Sequence, residues 1–390
     1  MREKSRLYIA SQQDILDARV TDVYFDRTKT ILQSENIHKK VVMECTIKSI
    51  PKPYKWGVFT GLEDVITLLE NKPVNVWSVP EGTFFHEHEP VLIIEGDYTK
   101  FGCYETSILG MLCQATGVAT KASRCKLAAQ GRPVYSFGAR RMHPAIAPLI
   151  DKSAYLGGCD GVAAVKSAEM LGLDPVGTIP HTLVLLKGDT IESARSFDEL
   201  MPDSIPRVVL IDTFNDEKFE AIRVAEQLKR VDALRLDTPG SRRGDFLNLL
   251  KEVRWELDMR GYKDIKLFAS GGLDEYSIMN LNEIADAYGV GTSISNAPVF
   301  DFAMDIVEIE GEPLAKRGKM GGRKTLLQKN DGKQRIIHPS QAKKPKGYKE
   351  VLIPIIQDGN VITDLPTVSG IREKILKVLG TLSVTDEITV

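Results

Sequence analysis

Short apolar runs and amphipathic helical stretches alternate along this chain, and their order predicts its architecture. VVMECTIKSI, VNVWSV and PVLIIEGDY read as strands, and GLEDVITLLEN reads as an amphipathic helix. Residues 1–112 therefore predict a small α+β sandwich. YETSILGMLCQATGVATKASRCKLAAQ, from Tyr104 to Gln130, reads as long helical material leading into a second domain. From Pro133 to Ile306 the pattern changes. VYSFGARR, GVAAV, RVVLIDTF, DALRLDT, IKLFASGG and DAYGVGTS are short apolar runs that end in polar or glycine residues. Helical patterns separate them, clearest in DEKFEAIRVAEQLKR and GDFLNLLKEVRWELDMRG. The later runs recur roughly every 22 to 32 residues, the spacing of βα units. Apolar runs without clean alternation point to a parallel sheet covered on both faces. Together these features predict an α/β fold. Its centre is an irregular β/α barrel over residues 113–307, with a doubly wound open sheet as the alternative. Residues 308–390 are basic and turn-rich and predict a C-terminal extension. In it LLQKNDGKQRII and EVLIPIIQDGNVI read as hairpins and VSGIREKILKVLG as a closing helix.

Composition narrows the class. The chain has 390 residues, is 43% hydrophobic and 27% charged, and carries a formal net charge of -2. That balance gives no sign of wholesale nucleic-acid or membrane binding. The N-terminus lacks an apolar signal region, and no apolar run is long enough for a membrane helix, so a cytoplasmic location is expected. The cysteines, at 45, 103, 113, 125 and 159, are odd in number and scattered, which fits reduced thiols rather than disulfides. None has zinc-finger spacing.

In a β/α barrel the chemistry sits at the C-terminal strand ends. Those positions hold Arg140 and Arg141, Asp212, Arg235 with Asp237, Ser270-Gly271-Gly272, and Gly289 through Ser293. ASGGLDE and YGVGTSIS each place glycines before a helix start, where backbone N–H groups approach an anion and the helix terminus favours negative charge. Two such clusters at consecutive strand ends favour a phosphate site over ordinary turns. Carboxylates at strand ends can hold Mg²⁺ or ribose hydroxyls. Asp212 could equally be an N-cap, whereas Asp237 shares a strand side with Arg235. Arg140 and Arg141 suit a carboxylate or phosphate, with a surface salt bridge expected for one of them. His181, beside an apolar run, reads on its own as a hydrogen-bonded structural residue. The HEHEP stretch from His86 reads as exposed strand polarity and not as a metal site. There is no P-loop, no GxSxG elbow, and no type I phosphoribosyltransferase signature in LIDTF.

Taken in order, VTDVYFDRT, YETSILG, SFGARRMHP, DPVGTIPH, RLDT–SRRGD, ASGGLDE, YGVGTSIS and KRGKMGGRKTL resemble the archaeal-type nicotinate phosphoribosyltransferases, from Asp22 to Thr325. The resemblance implies a type II phosphoribosyltransferase fold, with an N-terminal sandwich, an irregular barrel and a C-terminal extension. It implies a homodimer or larger assembly with shared active sites, and a place in NAD biosynthesis. It implies that Tyr24 stacks on the pyridine ring, and that Arg140, Thr178 and Arg235 surround nicotinate and ribose. Gly271, Gly272, Gly291 and Thr292 would bind the 5′-phosphate, and Asp212 and Asp237 would serve the ribose and a Mg²⁺–pyrophosphate. His181 matches the histidine that ATP-coupled members phosphorylate, which replaces the structural reading. The four-cysteine zinc knuckle of some archaeal relatives is missing, because no cysteine follows Cys159. A pyridine nitrogen needs no general base, so a site without a nucleophile triad suits this chemistry. Three rivals remain. One is quinolinate or nicotinamide as acceptor, one a phosphate-binding barrel isomerase or aldolase, and one a non-catalytic phosphate-ligand binder.

Overall fold

The computed structural model describes residues 7–238, 240 and 244–388. The chain forms two compact units, Met1–Thr120 with Pro298–Ile375 and Lys121–Ala297 with Leu376–Val390.

The first unit is built on a seven-stranded antiparallel sheet. Its order is Glu312–Pro313, Phe302–Ile309, Lys40–Ile47, Leu92–Asp97, Val74–Ser78, Ile353–Gln357 and Asn360–Val361. Helix Leu62–Leu69 buries Leu62, Val65, Ile66, Leu68 and Leu69, while Glu63 and Asp64 sit in its first turn, where the helix dipole favours anions. Each fully buried leucine or isoleucine contributes roughly 2 kcal/mol relative to exposure. Truncation of Leu68, within the core cluster, is the kind of change that costs about 2–5 kcal/mol. A separate three-stranded sheet joins Arg335–Pro339, Lys324–Lys329 and Tyr348–Glu350. Both hairpins read from the sequence are present: Leu327 pairs with Ile336, and Ile356 with Val361.

Residues 308–390 do not form a separate extension. Ile353–Gln357 pairs with Val74–Ser78, and Phe302–Ile309, read as the end of the barrel, pairs with Lys40–Ile47. Strand pairing across more than two hundred residues leaves no local mark, so the division at 112 and 307 is replaced by a discontinuous unit. The HEHEP stretch is a turn after strand Phe84–Phe85 rather than a strand, and His88 has φ +67°.

The second unit carries six parallel strands, labelled β1 (Val134–Ser136), β2 (Gly161–Val162), β3 (Val208–Leu210), β4 (Ala233–Leu236), β5 (Lys266–Ser270) and β6 (Ala287–Val290). Their order is β2-β1-β6-β5-β4-β3. Val134, Val162, Leu210, Leu234, Leu236, Leu267 and Val290 are fully buried, which explains why these runs read as continuously apolar. The sheet curls but does not close by strand pairing. Between β2 and β3 lies the irregular segment 174–180, which contributes two hydrogen bonds. The Val176 amide donates to the Val162 carbonyl (2.9 Å) and the Ile179 amide to the Val208 carbonyl (3.3 Å). Pro175 and Pro180 have no N–H to extend a ladder there. The irregular barrel expected from the sequence is thus present as a curled half-barrel, and its C-terminal strand ends share one face of the unit. Among the described residues no helix is long and apolar enough to cross a membrane.

Candidate active site

Arg235 and Asp237 lie two residues apart at the end of β4, so their side chains leave the same side of the strand. Arg235 holds three partners. Its Nε donates to Ser270 Oγ (2.9 Å), its Nη1 to Thr178 Oγ1 (2.8 Å), and its Nη2 stands 3.1 Å from Asp237 Oδ2. Ser270 Oγ donates in turn to Asp237 Oδ1 (2.8 Å). A ring of contacts thus joins the ends of β4 and β5 to the segment between β2 and β3. The guanidinium also stands 5.3 Å from the centre of the Phe137 ring. Burial lowers the Arg235 pKa, while Asp237 and Asp212 pull it back up.

Two adjoining cavities share Phe137, Arg140, Arg235 and Asp237. The larger, about 580 Å³, is lined by Ser270, Gly271 and Gly272 from the end of β5 and by Gly289, Gly291, Thr292 and Ser293 from the end of β6. The two glycine clusters therefore face one space. Gly271 has φ +89°, and a Cβ there would lie 3.1 Å from Asp237 Oδ1. The left-handed φ favours glycine, and a larger residue would also crowd Asp237. The smaller cavity, about 350 Å³, is lined by Ala163, Ala164, Val176, Gly177, Thr178, Pro180, His181 and Thr182 besides the shared residues.

Arg140 and Arg141 follow β1 on the turn Ala139–Arg141. Both are exposed, Arg140 lining both cavities and Arg141 the larger. Neither has an acidic partner among the described residues, so the expected surface salt bridge is absent and both guanidinia face the cavities.

His181 opens helix His181–Lys187 and is 41% exposed in the smaller cavity. Its Nε2 stands 3.3 Å from Oδ1 of Asp212, whose side chain is 1% exposed. Neither Asp212 oxygen receives an aligned hydrogen bond. Burial pushes this carboxyl up, His181 draws it down and Asp237 pushes it up again. Asp212 lines neither cavity, unlike Asp237. It sits behind His181 and not beside it. No group of three or more His, Cys, Asp or Glu side chains could hold a metal among the described residues. The donor set does fit Mg²⁺ arriving with a polyphosphate, since such a site asks for one or two carboxylates plus substrate oxygens. Asp237 reaches the cavity, and the orphaned Asp212 carboxylate lies nearby.

Tyr24 stands on helix Val23–Ser34 in the first unit, exposed, and lines neither cavity. Of SRRGD, Ser241, Arg242 and Arg243 lie outside the described residues. Sequence reasoning passed over Phe137, although an aromatic directly after β1 in SFGARR was the available signal. It also passed over Asp274, which caps helix Glu275–Leu281 and lines the larger cavity.

Models of the quinolinate phosphoribosyl transferase N-terminal and C-terminal domains match residues 22–116 and 118–305. The chain is 28% identical over 357 residues to nicotinate phosphoribosyltransferase pncB2 of Mycobacterium tuberculosis, covering 80% of this chain and 75% of that protein. It is 28% identical over 330 residues to the nicotinate phosphoribosyltransferase of Bacillus subtilis, covering 74% and 66%. Among solved structures, nicotinate-nucleotide pyrophosphorylase from Pyrococcus furiosus matches with a TM-score of 0.94 at 50% identity, over 97% of this chain and 100% of that one. Human nicotinic acid phosphoribosyltransferase matches with a TM-score of 0.75 at 17% identity, over 93% and 94%, a likeness of fold.

Proposed function

This chain belongs to the type II quinolinate and nicotinate phosphoribosyltransferases, and from that membership we propose that it joins nicotinate to phosphoribosyl pyrophosphate. The products are nicotinate mononucleotide and pyrophosphate, a step in NAD biosynthesis. One observation carries the choice of acceptor. The smaller cavity is lined by three basic side chains, Arg140, Arg235 and His181; Arg235 is engaged by Asp237 and His181 faces Asp212. Among the described residues Arg140 has no acidic partner, and its guanidinium matches one carboxylate. Quinolinate, which the matching family models favour by name, brings two. Competition among nicotinate, quinolinate and nicotinamide tests this, with mononucleotide formation as the readout. Faster turnover of quinolinate would reverse the assignment.

The residues suit the chemistry. The glycine turns of β5 and β6 cradle the 5′-phosphate with backbone N–H groups, fixing the sugar. Asp237, held by Arg235 and Ser270, faces the anomeric carbon and stabilises its developing positive charge. Arg140 orients the acceptor so that the pyridine nitrogen meets that carbon, and Phe137 covers the wall between the two cavities. Mg²⁺, held by Asp237 with support from Asp212, would neutralise the departing pyrophosphate. Arg141 faces the same leaving group.

ATP coupling belongs to the same reading. Asp212 Oδ1 stands 3.3 Å from His181 Nε2, so a carboxylate backs the ring and leaves its other nitrogen to take the phosphoryl group. Incubation with γ-labelled ATP tests it, with label expected on wild type and none on His181→Ala. An unlabelled wild type ends the coupling idea. Tyr24, exposed in the first unit, would reach the pyridine ring of a neighbouring subunit in a homodimer or larger assembly. Light scattering and the KM of Tyr24→Ala for nicotinate test that. We place the enzyme in the cytoplasm, a compartment its five free thiols suit.

A further inference from the structure

Arg124 is among the largest side chains in the molecule with no solvent exposure, and its counter-ion Glu275 is equally buried. Arg124 Nε donates to Glu275 Oε1 at 2.9 Å, and Lys121 pairs with the other oxygen. Arg124 Nη1 donates to the Glu387 carbonyl at 3.0 Å, in the C-terminal turn Val384–Glu387. A buried ion pair is a poor way to gain stability, because well-packed apolar residues of the same volume serve as well or better. What such a group does provide is a fixed position, since a charge in the interior tolerates one geometry.

The position it fixes is informative. Glu275 is the first residue of helix Glu275–Leu281, directly after Ser270-Gly271-Gly272-Leu273-Asp274. Those five residues all line the larger cavity. Asn282, which ends that helix, ties it again to helix Glu105–Ala128, the helix that carries Lys121 and Arg124: Asn282 Nδ2 donates to the Ala128 carbonyl (2.6 Å), and Tyr288 OH donates to Asn282 Oδ1 (2.7 Å). At the other end of the turn, Ser270 is fixed by Arg235 and Asp237. The glycine turn is thus anchored on both sides, with positive φ at both Gly271 and Gly272.

We propose that Lys121, Arg124 and Glu275, braced by the C-terminal turn, are positioning residues for the sugar-phosphate cradle. They hold Gly271 and Gly272 in register for the 5′-phosphate without touching it. The inference rests on the phosphoribosyltransferase reading for its ligand, but the anchoring is a property of this unit alone.

The test replaces the pair by apolar residues of similar volume, Arg124→Met with Glu275→Met, so that neither is left as a lone buried charge, while the partly exposed Lys121 can turn its ammonium to solvent. The expected double variant melts within a few degrees of wild type. Its KM for phosphoribosyl pyrophosphate rises about tenfold, while kcat at saturation and KM for nicotinate change less than about threefold. A second arm ends the chain after Leu382, removing the Glu387 acceptor and leaving the ion cluster whole. The same selective rise is expected, of about threefold. An unchanged KM for phosphoribosyl pyrophosphate in a folded double variant overturns the proposal. If the double variant does not fold, an unchanged KM in the shortened chain overturns it. A wild type inert toward all three pyridines defeats the functional reading instead. Inorganic phosphate is then the probe, and the shift it produces in wild-type melting should be lost in the folded variants; equal shifts overturn the anchoring claim.

Discussion

Arg235 touches Thr178, Ser270 and Asp237 at once, so the effect of changing Asp237 is not limited to one lost contact. Asp237→Asn keeps the shape and removes the negative charge opposite the anomeric carbon. We expect kcat to fall by about 10²–10³ with a far smaller rise in KM for nicotinate, measured by steady-state kinetics. An unchanged kcat removes Asp237 from the mechanism. Glu105, in the first unit, gives a pH-dependent prediction. Burial pushes its carboxyl up to about 7, with Asp305 adding to the rise and Lys316 opposing it. A raised folded pKa means that the folded state resists ionisation. Folding therefore loses stability as pH climbs from about 4.5 to about 7, and the cost is constant above that. Glu105→Gln should stabilise by on the order of 1 kcal/mol above that window, after allowance for solvent screening, and by nothing below it. Thermal melts across that pH range check the sign. At this scale the sequence was partly legible. Arg235 and Asp237 announced themselves by an i, i+2 spacing on one strand. The burial of Asp212 behind His181 did not, because a strand-end acid looks the same whether it faces a cavity or the interior.

Elements were legible wherever a local period existed. All six barrel strands, the helices Leu62–Leu69, Glu217–Gln227 and Phe246–Met259, and both C-terminal hairpins follow from runs, amphipathic spacing and turn residues. The Asp358-Gly359 turn shows why: φ is +48° and +83°, the left-handed pair that a two-residue hairpin needs and that an Asp-Gly pair supplies. A Cβ at Gly359 would lie 2.7 Å from the Lys72 carbonyl oxygen. Gly359→Val should therefore destabilise by about 2 kcal/mol or more in chemical denaturation, strain in φ and the clash acting together. Wild-type stability in that variant contradicts the turn geometry. The segment 174–180 was not legible as part of the wall. It has no period of its own, and its two sheet-like hydrogen bonds are set by the strands on either side.

At the scale of the whole molecule, the division into domains was the least legible feature. A sequence shows where a strand is and not which strand it will pair with. Residues 302–309 follow the barrel strands directly, yet they belong beside residues 40–47. A chain ended after Ala297 would consequently lose two internal strands of the seven-stranded sheet, Phe302–Ile309 and Ile353–Gln357, and not a detachable tail. Lys40–Ile47 and Val74–Ser78 would become open edges. We expect that truncation to aggregate on expression, as judged by size-exclusion chromatography. A soluble, monodisperse product would show that the first unit does not need its C-terminal half.

The two hydrogen bonds that bridge β2 and β3 have a dynamic consequence. They form a seam where the wall can breathe without unzipping a strand pair, and Arg235 latches it from inside through Thr178. Deuterium should enter the amides of Val176 and Ile179 sooner than those of β1 or β6. A pyridine carboxylate lodged against that latch should slow the uptake, so that the weakest stave of the half-barrel reports occupancy of the acceptor cavity.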